Sequence, residues 1–429
     1  MADRRIALVL KGGEVVDATG RRRADVAVDV DGFVAAVAAD LDAPRLLDAG
    51  GCIVAPGLVD LHAHLREPGG EEAETVETGS RAAALGGYTA LVAMPNTVPA
   101  IDSAAAVREV LELGVKALCD VRPAGAITKG RAGRELAPLA EMAALGVRLF
   151  TDDGAGVQDS GLMRRALEYG SALGITLAQH CEDASLAAGG HMHEGTWSSR
   201  LGIPGVPAEA EEVMVARDIA LSALTGAPVH FLHLSTAGSV ALVRAAKAAG
   251  ALVTAEAAPH HFTLTAEEVA GYDPVFKVNP PLRTEADVAA VKAGLADGTI
   301  DAIATDHAPH AQEAKEQPFD QAPPGMLGLE TALSLSLAET GLGLDRVLAL
   351  LSWQPARIAG LDADHGGPVA AGRPANLMVL DPSARWTVDP ARLASRSRNT
   401  PNAGRTLTGR VRHTLLQGEA VVVDAEATR

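Results

Sequence analysis

The feature that most constrains this chain is an alternation in its middle part. Short apolar runs that end in polar residues alternate with Ala- and Leu-rich stretches of helical period. Eight such runs stand out: GLVDLHAH (57–64), TALVAMPN (89–96), VRPAGAIT (121–128), GVRLFTDD (146–153), ITLAQH (175–180), PVHFLHLST (228–236), LVTAEAAPH (252–260) and IDAIATDH (300–307). The stretch EAEEVMVARDIALSALTG at 209–226 shows the helical period between two of them. Eight strands with helices between them over roughly 300 residues predict an α/β fold, a (β/α)8 barrel of the TIM type.

The flanks behave differently. RIALVLKGGEVVD (5–17) and RADVAVDVDGFVAAVA (23–38) are β-like runs broken by Gly-rich turns, and so are ANLMVLDP (375–382) and RVRHTLLQGEAVVVD (410–424). The expected division is 1–55 and 359–429 pairing into a small β-sandwich, with 56–358 as the barrel. The polar, Pro-rich stretch APHAQEAKEQPFDQAPPG (308–325) is expected to be a long loop after the last strand, and such loops are usually functional.

Charge limits the partners. The formal net charge is −17, which argues against nucleic-acid or anionic-membrane binding, so an anionic substrate would need a local arginine. Cys52, Cys119 and Cys181 are too far apart for a disulfide framework or a CxxC metal site. The apolar run after the basic start is too short for a signal peptide, and no segment is apolar enough to span a membrane. A cytoplasmic protein is expected.

The chemistry sits at strand ends. In DLHAHLREPG (60–69), His62 and His64 share one face of a strand, with Asp60 and Arg66 in the same parity. Other runs end in Asp152 and Asp153, in His180, in His233, and in Asp306, His307 and His310. Strand ends of a barrel converge, so these imidazoles and carboxylates suit a zinc-type divalent site. On the residues alone either Asp152 or Asp153 can be the ligand. His191 and His193 in GGHMHEGTW have the same spacing but no preceding strand, and are expected not to bind metal. His230 is out of parity with His233 and is expected to be structural. His260 and His261 are expected to pack or to support ligands from behind, and Cys181 to face away as a small buried hydrophobe. Asp60 is expected to orient a neighbour or to hold the strand.

Together these motifs resemble the amidohydrolase superfamily and, within it, the class I bacterial dihydroorotases. The resemblance covers almost the whole chain. It rests on PGLVDLHAHLREPG, GGYTALVAMPNT, FTDDGAGVQ, QHCED, HFLHLST, PHHFTLT, KVNPPLR, IATDHAPH and PGMLGLET. Hydantoinases and allantoinases share the metal pattern but not the combination of Arg66, MPNT and NPPLR.

The resemblance implies zinc, one or two ions per subunit. His62, His64 and Asp306 would hold one, His180 and His233 a second, and Asp153 would bridge them. Many relatives in the superfamily bridge with a carboxylated lysine instead, and Lys129 in AITKG is the rival here. Asp306 would also be the catalytic base in the reversible cyclisation of N-carbamoyl-L-aspartate to L-dihydroorotate, a step of pyrimidine biosynthesis. Arg66 would hold the substrate carboxylate with Asn96 and His310, and His64 would border the substrate. Asn279 would bond the ring, and Pro324 and Gly325 would offer backbone groups of a closing loop. Most such loops carry an aromatic where Pro324 stands. A homodimer and an aspartate transcarbamoylase partner also follow from the resemblance. The competing readings are another cyclic amidase and a non-catalytic scaffold that has lost metal ligands.

Overall fold

The computed structural model describes residues 5–429. The chain is α/β. Eight strands coincide with the eight apolar runs, two of them starting one residue earlier: β1 (Leu58–Ala63), β2 (Tyr88–Ala93), β3 (Asp120–Pro123), β4 (Leu149–Thr151), β5 (Thr176–Gln179), β6 (Val229–Phe231), β7 (Val253–Ala257) and β8 (Ala302–Ile303). β1, β2 and β3 form one parallel sheet, and β4 to β8 form a second in the order β4-β5-β6-β7-β8. Isolated parallel bridges join the sheets at both margins, Gly125 to Phe150 beyond β3 and Ala63 to His307 beyond β8.

Every residue of β1 and β2 is buried, as expected of strands covered on both faces. One apolar cluster gathers Leu61, Val92, Leu149, Ala178 and Ala302 from strands of both sheets. With few aromatics available, alanine and leucine fill this space. The larger core lies between the strands and the helices and contains Tyr88, Phe150, Phe231 and Phe262, all fully buried. Several helices start on a side-chain cap that follows a strand end: Thr75, Ser103, Asp159, Thr236 and Thr284 each accept a backbone N–H of the first turn.

The terminal segments build two further sheets. A seven-stranded sheet runs in the order 426–427, 419–423, 406–416, 377–387, 53–56, 14–17 and 20–23. A four-stranded sheet runs 34–38, 25–29, 6–11 and 45–48. Leu8, Leu10, Val26 and Val28 of the smaller sheet share a core with Val15, Val54, Val379 and Leu415 of the larger. Residues 393–402 leave this region and run back to the strand ends, where Ser397 donates to the Ala73 carbonyl at 2.6 Å. The stretch 308–325 is irregular apart from a short helix at Gln312–Lys315. Among the described residues, no helix is long and apolar enough to cross a membrane.

Candidate metal centre

His62 lies on β1 and His64 follows its last residue. His62 donates from Nδ1 to Glu256 at 3.0 Å, and His64 donates from Nδ1 to Asn96 Oδ1 at 2.8 Å. Those bonds assign the tautomers and leave both Nε2 atoms with bare lone pairs. The lone pairs face carboxylates. His62 Nε2 is 3.5 Å from Asp153 Oδ2 and 3.5 Å from Asp306 Oδ1. His64 Nε2 is 3.6 Å and 3.2 Å from the same two atoms.

On the other side, Asp153 Oδ1 lies 3.4 Å from His180 Nδ1 and 3.5 Å from His233 Nε2, and those two nitrogens are 3.1 Å apart. Buried lone pairs aimed at buried carboxylates repel unless a cation lies between them. The separations match those between neighbouring ligands of one ion with bonds of about 2.0–2.1 Å, roughly 3.3 Å. Two groups can hold a metal, His62–His64–Asp153 and Asp153–His180–His233, with Asp153 in both. The donor set therefore fits one or two divalent ions.

Where no cation lies between the groups, protons on the imidazoles must take its place. Burial alone would raise the carboxyls of Asp153 and Asp306, but positive charge on His62 outweighs it and holds both low. Against its own burial, those carboxylates push His62 well above the usual imidazole range. Burial likewise opposes ionisation of Glu256, yet His230 and His62 bring it to about 2.

Beside the cluster is a cavity of about 160 Å³ lined by His64, Arg66, Asn96, Asn279, His310, Pro324 and Gly325. Its one arginine, Arg66, pairs with no carboxylate among the described residues. Its Nε donates to the Pro309 carbonyl at 3.1 Å, and its Nη2 is 3.4 Å from His310 Nε2. His310 Nε2 also lies 2.8 Å from the Pro324 carbonyl. A free guanidinium held in place next to a metal site is a receptor for a carboxylate.

The relatives decide what this pocket belongs to. A family model described as dihydro-orotase-like matches residues 51–239. The dihydroorotase of Pelotomaculum thermopropionicum is 50% identical over 425 residues, which is 97% of this chain and 99% of that one. That of Streptomyces coelicolor is 51% identical over 430 residues, 98% and 99% of the two chains. The chain belongs to the dihydroorotase family.

The family is one of cyclic amide hydrolases. Among solved structures, an L-hydantoinase (dihydropyrimidinase) from Arthrobacter aurescens aligns with a TM-score of 0.89 at 27% identity, covering 99% of this chain and 98% of its own. A dihydropyrimidinase from Brevibacillus agri shares the fold, with a TM-score of 0.86 at 24% identity over 98% of this chain and 96% of that one.

In this dihydroorotase-family chain several residues lie where strand parity does not put them. β1 ends at Ala63, and Arg66 reaches the cavity from a turn with φ 61°. His233 (φ 31°) and Asp306 (φ 45°) are also left-handed. A non-glycine residue there costs on the order of 1 kcal/mol, and such strain collects at functional sites. Asp306 is held from both sides. Asp60 accepts Thr305 N–H at 2.9 Å and Thr305 Oγ1 at 2.5 Å, while His307 Nε2 lies 3.2 Å from Glu74. Asp60 thus secures β8 next to Asp306, and burial pushes its carboxyl up to about 7.

Other side chains stand apart from the cluster. Asp152 turns away and accepts the N–H groups of Ile127 and Thr128 at 2.9 and 3.0 Å. Lys129 is half-exposed and pairs with Glu135 at 3.2 Å. His191 is 3.4 Å from Lys277 Nζ, and His193 accepts from Arg283 at 3.1 Å. His261 donates to the Pro280 carbonyl at 3.0 Å, and Cys181 is buried. Asn279, by contrast, reaches the cluster from the cavity, its Nδ2 3.5 Å from His180 Nε2.

His230 is structural, as its parity implies. Its Nε2 lies 3.0 Å from Glu256 Oε2 and its Nδ1 2.8 Å from Thr254 Oγ1, so it holds the carboxylate that holds His62. Glu256 escaped the sequence reading. Its only signal is a lone carboxylate inside the apolar run LVTAEAAPH, where a buried charge must have partners.

Proposed function

We propose that this chain catalyses the reversible closure of N-carbamoyl-L-aspartate to L-dihydroorotate, with zinc as its metal. The observation that carries the reading is Arg66, a half-buried arginine beside the His/Asp cluster with no carboxylate partner among the described residues. The product ring bears a carboxylate that takes no part in the chemistry, and Arg66 with Asn96 and His310 is placed to receive it. Asn279, Pro324 and Gly325 line the cavity; Asn279 would bond the ring, and backbone groups of Pro324 and Gly325 would contact it.

His62, His64, Asp306, His180 and His233 would hold the metal with Asp153 shared between two ions, and an imidazole–carboxylate set suits zinc. When bound, zinc supplies Lewis acidity to the reacting carbonyl and to water. Asp306, kept ionised by its imidazole neighbours, accepts the proton of the attacking water and delivers it to the departing ring nitrogen. In the direction of closure it takes the proton from the carbamoyl nitrogen.

The same reading makes the eight strands a closed (β/α)8 barrel over 56–358, with 1–55 and 359–429 as a sandwich. The two bridges between the sheets and the cluster shared by their strands support it. Three free cysteines fit a reducing cytoplasm. A homodimer and an aspartate transcarbamoylase partner rest on the family resemblance alone.

A second reading, hydantoinase activity, is favoured by the likeness to the Arthrobacter L-hydantoinase. Assaying dihydroorotate, hydantoin and allantoin side by side, with wild type and Arg66→Lys, separates the two. We expect dihydroorotate to be preferred and Arg66→Lys to weaken its use. Preference for hydantoin or allantoin, or an Arg66→Lys variant with unchanged constants, would refute the assignment.

A further inference from the structure

The residue that joins the two ends of the cavity's loop lies outside the cavity. Asn399, in the segment 393–402, is 6% exposed and lines no part of the pocket. Its side-chain oxygen accepts the His310 N–H at 3.2 Å. Its amide nitrogen donates to the carbonyls of Ala308 at 3.0 Å and Gly325 at 3.1 Å. Its own carbonyl accepts the Leu327 N–H at 3.1 Å. Both amide hydrogens and the amide oxygen are used, which no other side chain of this size can do.

These partners fall into two groups. Ala308 and His310 lie where the chain enters the loop, and Gly325 and Leu327 where it leaves. The two ends carry the groups that face the substrate carboxylate. His310 is on the first, Gly325 is on the second, and Arg66 is tied to the first through the Pro309 carbonyl. Their approach is close. A Cβ on Gly325, whose φ is 142°, would come within 2.8 Å of both the Ala308 Cβ and His310 Nε2. A shift of a few tenths of an ångström between the two ends would therefore be felt at all three groups.

We propose that Asn399 is a positioning residue for the carboxylate subsite: it sets the spacing of Arg66, His310 and Gly325 from a segment 74 residues downstream of the loop's last residue, Gly325. The inference rests on the dihydroorotase reading of that subsite. Asn399 touches neither the metal ligands nor the proton-carrying Asp306, so its loss affects binding of the carboxylate and leaves the chemical step alone.

The test uses purified holoenzyme of wild type, Asn399→Ala and Asn399→Ser, the serine variant keeping one hydrogen-bonding group in case alanine does not fold. Metal content and melting temperature are measured first. We expect KM for L-dihydroorotate to rise at least about tenfold with kcat within about threefold, because misplacement of the binding groups is read as lost binding. Inhibition by orotate, which carries the carboxylate on the same ring, should weaken in parallel. Inhibition by uracil, which lacks it, should not change. Equal weakening of orotate and uracil, a fall in kcat at constant KM, or loss of metal in both variants would overturn the proposal. Failure of the wild type to turn over dihydroorotate would instead sink the functional reading on which it rests.

Discussion

Glu256 accepts the Nδ1 proton of His62 at 3.0 Å, and neither side chain is reached by solvent. The bond turns the His62 Nε2 lone pair toward Asp153 and Asp306. The second oxygen of Glu256 is held by His230, and His230 by Thr254. Carboxylates behind metal-binding imidazoles fix ring orientation and raise basicity. Glu256→Gln should weaken metal affinity about 10–100-fold, read by chelator competition. An unchanged affinity would show that His62 needs no such support.

Asp153 offers one oxygen to each imidazole pair, whereas Lys129 is committed to Glu135 on the surface. Asp153→Ala should lose most bound metal by elemental analysis. Lys129→Ala should keep both metal and activity, and bicarbonate should have no effect. A carbamate on Lys129 at bonding distance to a metal would reverse this.

Among the described residues, Asp306 is the only carboxylate that both lines the cavity and touches His62 and His64 without facing the second imidazole pair. Asp306→Asn keeps its shape and removes its ability to take a proton. Turnover in both directions should fall by about 10²–10⁴-fold. Substantial turnover with metal still bound would mean another group carries the proton.

Lys315 is buried and directs its ammonium at carbonyls: Pro323 and Gly325 at 3.0 Å, Lys277 at 3.4 Å. Lys277 in turn donates to Phe319 and Asp320. The two lysines fasten the 311–325 loop over the cavity. Lys315→Met should speed hydrogen exchange in that loop and raise KM roughly tenfold, with metal content unchanged. Exchange as slow as in the wild type would show that the loop is held by other means.

Acid should loosen the fold through His261. Burial pushes its imidazole down to about 3, and the bond to the Pro280 carbonyl only partly offsets this. The unfolded chain takes up a proton near 6.5 that the folded protein refuses until about 3. Stability from this group is therefore complete above about 6.5 and falls as pH drops through that window, by about 1.4 kcal/mol per pH unit. Thermal melts from pH 7 to pH 4 should fall less steeply for His261→Gln, whose amide can still donate to Pro280. Parallel curves would count against it.

Much of this protein is legible along the chain. Eight apolar runs with polar ends are strong signals because strands covered on both faces are mostly apolar and admit a buried polar residue only with a partner, and a strand coincides with each run to within one residue. The polar residues at those ends, His62, His64, Asp153, His180, His233 and Asp306, converge because parallel strands in register bring their ends to one side. Parity failed where regular strand stopped. Arg66 reaches the cavity from a left-handed turn that no alternation rule describes, whereas His230, inside regular strand, is structural as its parity implies and holds Glu256.

What the sequence by itself determined is the set of elements and which chemically active side chains stand at their ends, since both follow from local period and burial. Only the tertiary structure decided which distant groups hold them. Glu256 meets His62 across 194 residues, and Asn399 meets Ala308 across 91. A period of two states which face of a strand a residue occupies, but not which backbone will pack against that face. That pairing is set by the packing of the whole core, and with it the orientation of every group that surrounds the site.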